Sequence, residues 1–135
     1  MVAISPNSGT RAVLDASAVV RALVDLDETA QRWLRTSVIW PTLVYVEVGH
    51  TVLRLHRNHL ARLEEAKRIV DTHLAVDADA RPVESLVEGA WELALVRSLT
   101  VYDACYVVLA EALDVPLVTA DRRLAEATPN AVLLA

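Results

Sequence analysis

The sequence predicts an α/β fold in which a parallel sheet of four to five strands lies between two layers of helices. Short apolar runs typical of buried strands occur at residues 12–15, 38–40, 116–120 and 131–134. Segments with helical periodicity separate these runs, and parallel strands need crossover connections of that length. The chain has 135 residues and is 54% hydrophobic, which suffices for one domain with a substantial core.

The predicted helices are recognised by their apolar periodicity and by the residues that start them. A short helix follows Asp121, and the longer periodic segments lie at 17–25, 27–36, 42–57, 59–74, 83–98 and 101–114. Their expected first residues are side-chain caps or prolines, namely Ser17, Asp27, Pro41, Asn58, Pro82 and Thr100. We predict that residues 11–135 form the domain, and that residues 1–10, which include several small and polar residues, form a flexible leader.

Composition narrows the classes of function. Charges interrupt every apolar run before it reaches the ~18 residues needed to span a bilayer, so no membrane segment is expected. The single Cys105 lies in an apolar run and has no disulfide partner within the chain, which suits the reducing cytoplasm. A net charge of −5 argues against nucleic-acid binding by bulk charge alone, unless cations neutralise carboxylates and basic residues gather on one face.

Four acidic residues stand within or beside apolar segments, where a lone carboxylate is costly to bury. Asp15 and Asp121 follow predicted strands, and the carboxyl ends of parallel strands meet at one edge of a sheet, where ligands bind. Glu47 and Asp103 lie near the starts of helices that could lean over the same edge. We interpret the four as a shared site for Mg²⁺ or Mn²⁺, which select oxygen ligands.

Each acid also has a simpler structural interpretation. Asp15 could start a turn, Asp121 could cap a helix, and Thr100 with Asp103 resembles a capping box. Glu47 could turn toward solvent on its helix. One shared crevice explains all four positions together, whereas the structural interpretation needs a separate reason for each.

Three sequence blocks occur in an informative order. They are VLDASAVV with Asp15, PTLVYVEVGHTV with Glu47, and YDACYVVLAEALDVPLVTADRRL with Asp103 and Asp121. Together they resemble a PIN-domain ribonuclease, specifically a VapC-type toxin, from about Ala12 to the C-terminus, and the last block is the most specific. The segment between the second and third blocks follows no motif of that family.

The resemblance implies a PIN-like three-layer fold and a Mg²⁺- or Mn²⁺-dependent endoribonuclease that hydrolyses RNA as the toxin of a type II toxin–antitoxin system. It implies that the catalytic, metal-binding acids are Asp15, Glu47, Asp103 and Asp121. The hydroxyls of Ser17 and Thr119 would contact the metal, its water or the acids. A cognate antitoxin and a second copy of the chain, in a homodimer, would be the protein partners.

Two groups of basic residues could bind phosphate. Arg122 and Arg123 follow Asp121 directly and could contact a phosphate beside the metal, although solvated surface arginines would give the same pattern. The segment RLHRNHLARLEEAKR is a second cationic group, for which a solvated helix face is the expected structure. The three tryptophans are expected to be core or interface anchors.

Two other functions stay open at this point. A phosphotransfer or receiver-like domain also places acids at strand ends, but its chemistry needs a phosphate-stabilising lysine, and the only lysine is Lys67 in a charged helix. A catalytically inactive PIN-fold module would keep the fold for protein binding without turnover.

Overall fold

The computed structural model describes residues 6–135, and within them five strands form one parallel sheet. The strands are β1 (Arg11–Leu14), β2 (Ser37–Pro41), β3 (Asp79–Arg81), β4 (Leu117–Thr119) and β5 (Ala131–Leu133). Their order across the sheet is β3-β2-β1-β4-β5, and every neighbouring pair is parallel. The predicted fold class is confirmed.

Seven α-helices connect and cover the strands in the described part of the chain. They are α1 (Ala16–Leu23), α2 (Glu28–Leu34), α3 (Leu43–Arg57), α4 (Leu63–Leu74), α5 (Val87–Arg97), α6 (Val101–Leu113) and α7 (Arg122–Glu126). A 3₁₀ turn at Val83–Leu86 leads into α5. No single helix among residues 6–135 is long and apolar enough to cross a bilayer, and Val83–Arg97 with Val101–Leu113 would reach that length only as a pair bent by 108°.

The strand order reverses at β1, which is the central strand. β2 and β3 lie on one side of it, while β4 and β5 lie on the other. Val13 pairs with Ile39 of β2, and Leu14 pairs with Val118 of β4. Ligand crevices of open parallel sheets form at such a reversal, beyond the carboxyl ends of the strands. Asp15 follows β1 directly at this position.

The hydrophobic core surrounds β1 and β4, and this explains why most residues of these two strands are apolar. Ala12, Val13 and Leu14 are fully buried, as Leu117 and Val118 are, because both faces of a parallel sheet are covered. α3 buries one face through residues spaced four apart, Val44, Val48 and Val52. Each buried valine side chain contributes about 1.5–3 kcal/mol relative to an exposed one.

Several helix starts differ from the prediction. Asp27 and Thr100 cap α2 and α6 as expected, but α1 is capped by Asp15, with Ser17 inside the first turn. Pro41 is the last residue of β2, and α3 begins two residues later. Asn58 closes α3 as its C-cap.

The start of α4 and the third strand were also not anticipated. α4 begins at Leu63 after an irregular loop, and Arg62 stands at its N-cap position without a capping side-chain hydrogen bond. β3 has the polar sequence DAR, which carries no strand signal; it is defined by its pairing with β2 at the edge of the sheet. Of the predicted leader, residues 1–5 lie outside the described residues, while Asn7 and Thr10 close a turn.

Candidate active site

Asp15 lies at the junction of β1 and α1 and is almost completely buried, with 5% of its surface exposed. Its Oδ1 accepts hydrogen bonds from the Ala18 backbone N–H at 2.9 Å and from the Ser17 hydroxyl at 2.6 Å. Its Oδ2 accepts one from the Thr119 hydroxyl at 2.6 Å. Burial raises the pKa of Asp15 to about 6, and these hydrogen bonds oppose the rise by stabilising the charged form.

The two hydroxyls also join the end of β1 to the end of β4. Ser17 Oγ accepts a hydrogen bond from the Ala120 N–H at 2.8 Å, and Thr119 Oγ1 accepts one from the Asp121 N–H at 3.0 Å. The two oxygen atoms are 3.2 Å apart. Residues more than 100 positions apart in the sequence are therefore held in one network around the Asp15 carboxylate.

Glu47 extends toward α6 from the second turn of α3. It is half-buried, and its Oε1 accepts a hydrogen bond from the hydroxyl of Tyr106. Burial raises the pKa of Glu47, while the Tyr106 hydrogen bond opposes that rise. Burial and the adjacent Glu47 charge raise the pKa of the Tyr106 phenol, so Tyr106 remains a proton donor to this carboxylate.

Asp103 is electrostatically coupled to the other three acids. It lies in the first turn of α6, and its N–H donates to the capping Thr100 hydroxyl at 3.0 Å. Burial raises the pKa of Asp103, and the charge of Asp121 raises it further. The charge of Asp103 in turn raises the pKa of Asp15 and of Glu47. The four acids thus share one region of negative potential.

Asp121 and the following arginines form the solvent-exposed rim. Asp121 caps the short α7 through its Oδ1, which accepts from the N–H of Arg123 at 2.9 Å and of Leu124 at 3.4 Å. Arg122 and Arg123 are exposed. The positive charge of Arg123 lowers the pKa of Asp103, so this arginine lies near the acids.

The donor set suits a hard divalent cation. Burial raises the pKa values of Asp15, Glu47 and Asp103, and the charge of a neighbouring carboxylate raises each of them further. Among residues 6–135, no three His, Cys, Asp or Glu side chains are arranged to hold an ion by themselves. Mg²⁺ commonly binds through one or two carboxylates and keeps several waters, so these oxygen ligands fit such an ion.

Comparison with known proteins identifies the family that shares this architecture. The family model of the PIN domain matches residues 12–128, which span all four acids. The chain belongs to the PIN domain family. Among related proteins, ribonuclease VapC1 of Mycobacterium tuberculosis is 40% identical over 121 residues, covering 85% of this chain and 89% of the relative.

Solved structures share the fold along nearly the whole chain. PAE2754 from Pyrobaculum aerophilum has a TM-score of 0.74 at 25% sequence identity and covers 93% of this chain and 85% of that one. A toxin–antitoxin complex from Klebsiella pneumoniae has a TM-score of 0.65 at 15% identity, with 90% of this chain and 95% of that chain covered. At that low identity the second likeness concerns the fold alone.

This PIN domain combines the two interpretations that the sequence left open. Asp121 is a helix cap, as the structural interpretation expected, whereas Asp15 caps α1 and does not merely start a turn; both also belong to the coupled acid group. Tyr106 was not anticipated as part of the site. The signal was present, because Tyr106 follows Asp103 by one helical turn in an apolar run, and a buried tyrosine hydroxyl needs a hydrogen-bond partner.

Proposed function

We propose that this PIN domain is an endoribonuclease that hydrolyses RNA phosphodiester bonds in the cytoplasm as the toxin of a type II toxin–antitoxin system. The observation that carries the proposal is the hydrogen-bonded network that holds the buried Asp15 carboxylate between the carboxyl ends of β1 and β4. Family membership and the 40% identity to a protein named ribonuclease VapC1 support the same activity.

Asp15, Glu47, Asp103 and Asp121 are proposed to bind Mg²⁺ or Mn²⁺. When bound, the ion would activate water for attack on phosphorus and offset negative charge on the phosphate oxygens. The Ser17 and Thr119 hydroxyls keep Asp15 in position and stabilise its charged form.

Other residues near the acids would orient the ligands and the substrate. Tyr106 fixes the Glu47 carboxylate through its hydrogen bond. Arg122 and Arg123 are exposed beside Asp121, and we propose that they bind a phosphate of the RNA. A phosphotransfer role gains no support, because Lys67, the only lysine, is exposed on α4 and does not share the network around Asp15.

We propose that a second copy of the chain packs on α5. Val87, Trp91 and Leu95 are spaced four residues apart on this helix and are 46%, 59% and 71% exposed. Residues at this spacing share one helix face, so they form an exposed apolar stripe. Such a stripe suits isologous packing of two identical helices.

The cognate antitoxin is proposed to occupy a different, concave surface. A groove between α1 and α4 is lined mainly by apolar side chains, including Leu23, Val24, Leu26, Leu60 and Ile69. Grooves of this composition accept the apolar face of an amphipathic helix. The groove and the α5 stripe share no residues, so the two partners could bind together.

Incubation of the purified protein with total RNA, with and without EDTA, tests the proposed activity. We expect new 5′ ends that depend on added Mg²⁺ or Mn²⁺. Asp15→Asn and Asp103→Asn should each reduce cleavage by more than about 100-fold, because a lost ligand costs at least as much as a lost supporting residue. Asp114→Asn, which neutralises an exposed acid at the end of α6, is the matched control.

The Asn variants should remain folded, which separates a chemical defect from a structural one. At position 15 the amide oxygen can still accept from the Ala18 N–H, and the amide nitrogen can donate to Thr119 Oγ1. Wild-type cleavage rates in both variants would refute the assigned roles. Absence of cleavage by the wild-type protein would favour the inactive interaction module.

A further inference from the structure

One flank of α3 carries a line of polar residues that begins at Glu47. The core-facing residues of α3 are Val44, Val48 and Val52. Glu47 lies about 100° around the helix axis from the centre of that face. Steps of three, four and three residues from Glu47 reach His50, Arg54 and Arg57, all of which are exposed. Each step joins neighbours on one side of an α-helix, and over the three steps the line drifts, so Arg54 lies about 20° and Arg57 about 80° around the axis from Glu47. We call His50, Arg54 and Arg57 the basic stripe.

The basic stripe leads away from the acids along the helix axis. At 1.5 Å per residue, Arg54 is about 10 Å and Arg57 about 15 Å beyond Glu47 along the axis. Side chains on a helix point back toward its N-terminus, and the N-terminal half of α3 is where Glu47 lies. The two long guanidinium side chains can therefore cover much of the distance between their own positions and the acids.

The charges of the stripe are available to a ligand. Ion pairs within 4.0 Å in the described chain involve Arg21, Arg81 and Arg97, and none includes Arg54 or Arg57. Glu47 is the only acidic residue within α3. In a protein with a net charge of −5, this helix carries an uncompensated positive segment next to a concentration of carboxylates.

A favourable interaction with the helix dipole explains only part of this pattern. Cations near a helix C-terminus are stabilised by about 0.3–1 kcal/mol, which accounts for basic residues in the last turn of α3. It does not account for the alignment of Arg54 with Glu47, since the dipole favours positive charge on any side of the last turn. The alignment is what a ligand extending from the acids would require.

We infer that the basic stripe on α3 holds the backbone phosphates of single-stranded RNA on one side of the cleavage site. The inference rests on the proposed function, because it takes the four acids as the point of cleavage. A polyanion whose scissile phosphate lies at Asp15, Glu47 and Asp103 would place neighbouring phosphates within reach of Arg54 and Arg57. The contact is a single line along one helix, which suits one flexible strand and reads charge rather than base sequence.

RNA binding without cleavage tests this inference. An Asp103→Asn protein with Mg²⁺ is titrated with a labelled single-stranded RNA by fluorescence anisotropy at several salt concentrations. Arg54→Ala/Arg57→Ala is added to this background and compared with Arg32→Ala/Arg35→Ala, which removes two exposed arginines from and beside α2. Both double variants change the net charge equally, so a difference between them reports position.

We expect the stripe variant to bind RNA at least tenfold more weakly than the control variant. Its plot of log affinity against log salt should lose a slope of about 1.4, since each phosphate contact to a single strand contributes about 0.7. Arg54→Lys/Arg57→Lys should restore most of the affinity, because the charge is what binds. Should the alanine variant fold poorly by circular dichroism, Arg54→Gln/Arg57→Gln keeps the side-chain stems and serves instead.

Equal affinities of the stripe and control variants would overturn the inference, as would failure of the Asp103→Asn protein to bind RNA at low salt. So would a stripe variant that binds RNA normally but no longer holds its antitoxin. Failure of the nuclease proposal gives a different result, because the wild-type protein would then leave RNA intact whatever these affinities are.

Discussion

At the scale of single residues, Asp15 uses the same carboxylate for a structural role and for its proposed role in catalysis. Asp15 Oδ1 caps α1 and also accepts the Ser17 hydroxyl, while its Oδ2 is held by Thr119. A carboxylate fixed in this way cannot rotate without breaking hydrogen bonds worth about 1.5–3 kcal/mol each when the acceptor is charged. The cap therefore also orients the carboxylate.

Tyr106 offers a test of such positioning. In Tyr106→Phe, the pKa of Glu47 should rise further, because the variant removes a hydrogen bond that stabilises the charged form. We expect Mg²⁺ affinity, measured by isothermal titration calorimetry, to fall about 10–100-fold. Tyr102→Phe removes an exposed hydroxyl from the same helix and should bind Mg²⁺ as the wild type does. Equal Mg²⁺ affinities of Tyr106→Phe and Tyr102→Phe would show that Tyr106 does not position a metal ligand.

At the scale of elements, α4 is attached to the sheet through an unusual aromatic cluster. His73 of α4 is 2% exposed, and its ring centroid is 5.0 Å from those of Trp40 in β2 and Tyr45 in α3. Trp40 Nε1 donates to the Tyr45 hydroxyl at 3.0 Å, whereas His73 Nε2 has no hydrogen-bond partner among residues 6–135. Burial lowers the pKa of His73 to about 4, so the ring packs in its neutral form.

This packing should give the free energy of unfolding a contribution from His73 that is lost in acid. Because the folded-state pKa of His73 is below its ordinary value of 6.5, the unfolded chain binds more protons between pH 6.5 and 4. Stability should therefore fall as the pH decreases through that range, by at most about 3 kcal/mol from this residue. His73→Phe keeps an aromatic ring and should lose less stability than the wild type as the pH falls from 6.5 to 4 in denaturant titrations.

The matched control for that experiment is His50→Gln, at an exposed position of α3. Asp15 acts in the opposite direction, because its raised pKa means that stability is lost as the pH rises from about 4 to about 6. The difference between His73→Phe and the wild type removes the contribution of Asp15, which both proteins share. A wild-type pH profile in His73→Phe would contradict the assignment.

At the scale of the whole molecule, the α5 stripe should determine the oligomeric state. Trp91 is 59% exposed in the isolated chain, and a large aromatic side chain contributes strongly at the centre of an interface. We expect the wild type to behave as a dimer in light scattering coupled to size-exclusion chromatography, and Trp91→Glu to behave as a folded monomer. Leu74→Glu, which changes a 59% exposed residue of α4, should remain dimeric. A dimeric Trp91→Glu protein would place the interface elsewhere.

The sequence was most informative for the central strands, because strands buried on both faces are rich in apolar residues. β1 and β4 are covered on both faces, so their sequences are uninterrupted apolar runs, and the acids that follow them could be located at the sheet edge. β3 could not be predicted, since an exposed edge strand of three residues needs no apolar side chains. Asn58 closes α3. Asparagine is common both at helix starts and in irregular turns, so the local sequence could not show which of these Asn58 occupies.

The hydrogen bond from Thr119 to Asp15 has a consequence for biosynthesis. Thr119 and Asp121 are translated more than 100 residues after Asp15. A nascent or prematurely terminated chain that stops before β4 therefore lacks half of the strand junction that orders the proposed catalytic carboxylates. The proposed active site can therefore form only after β4 has been translated and has paired with β1.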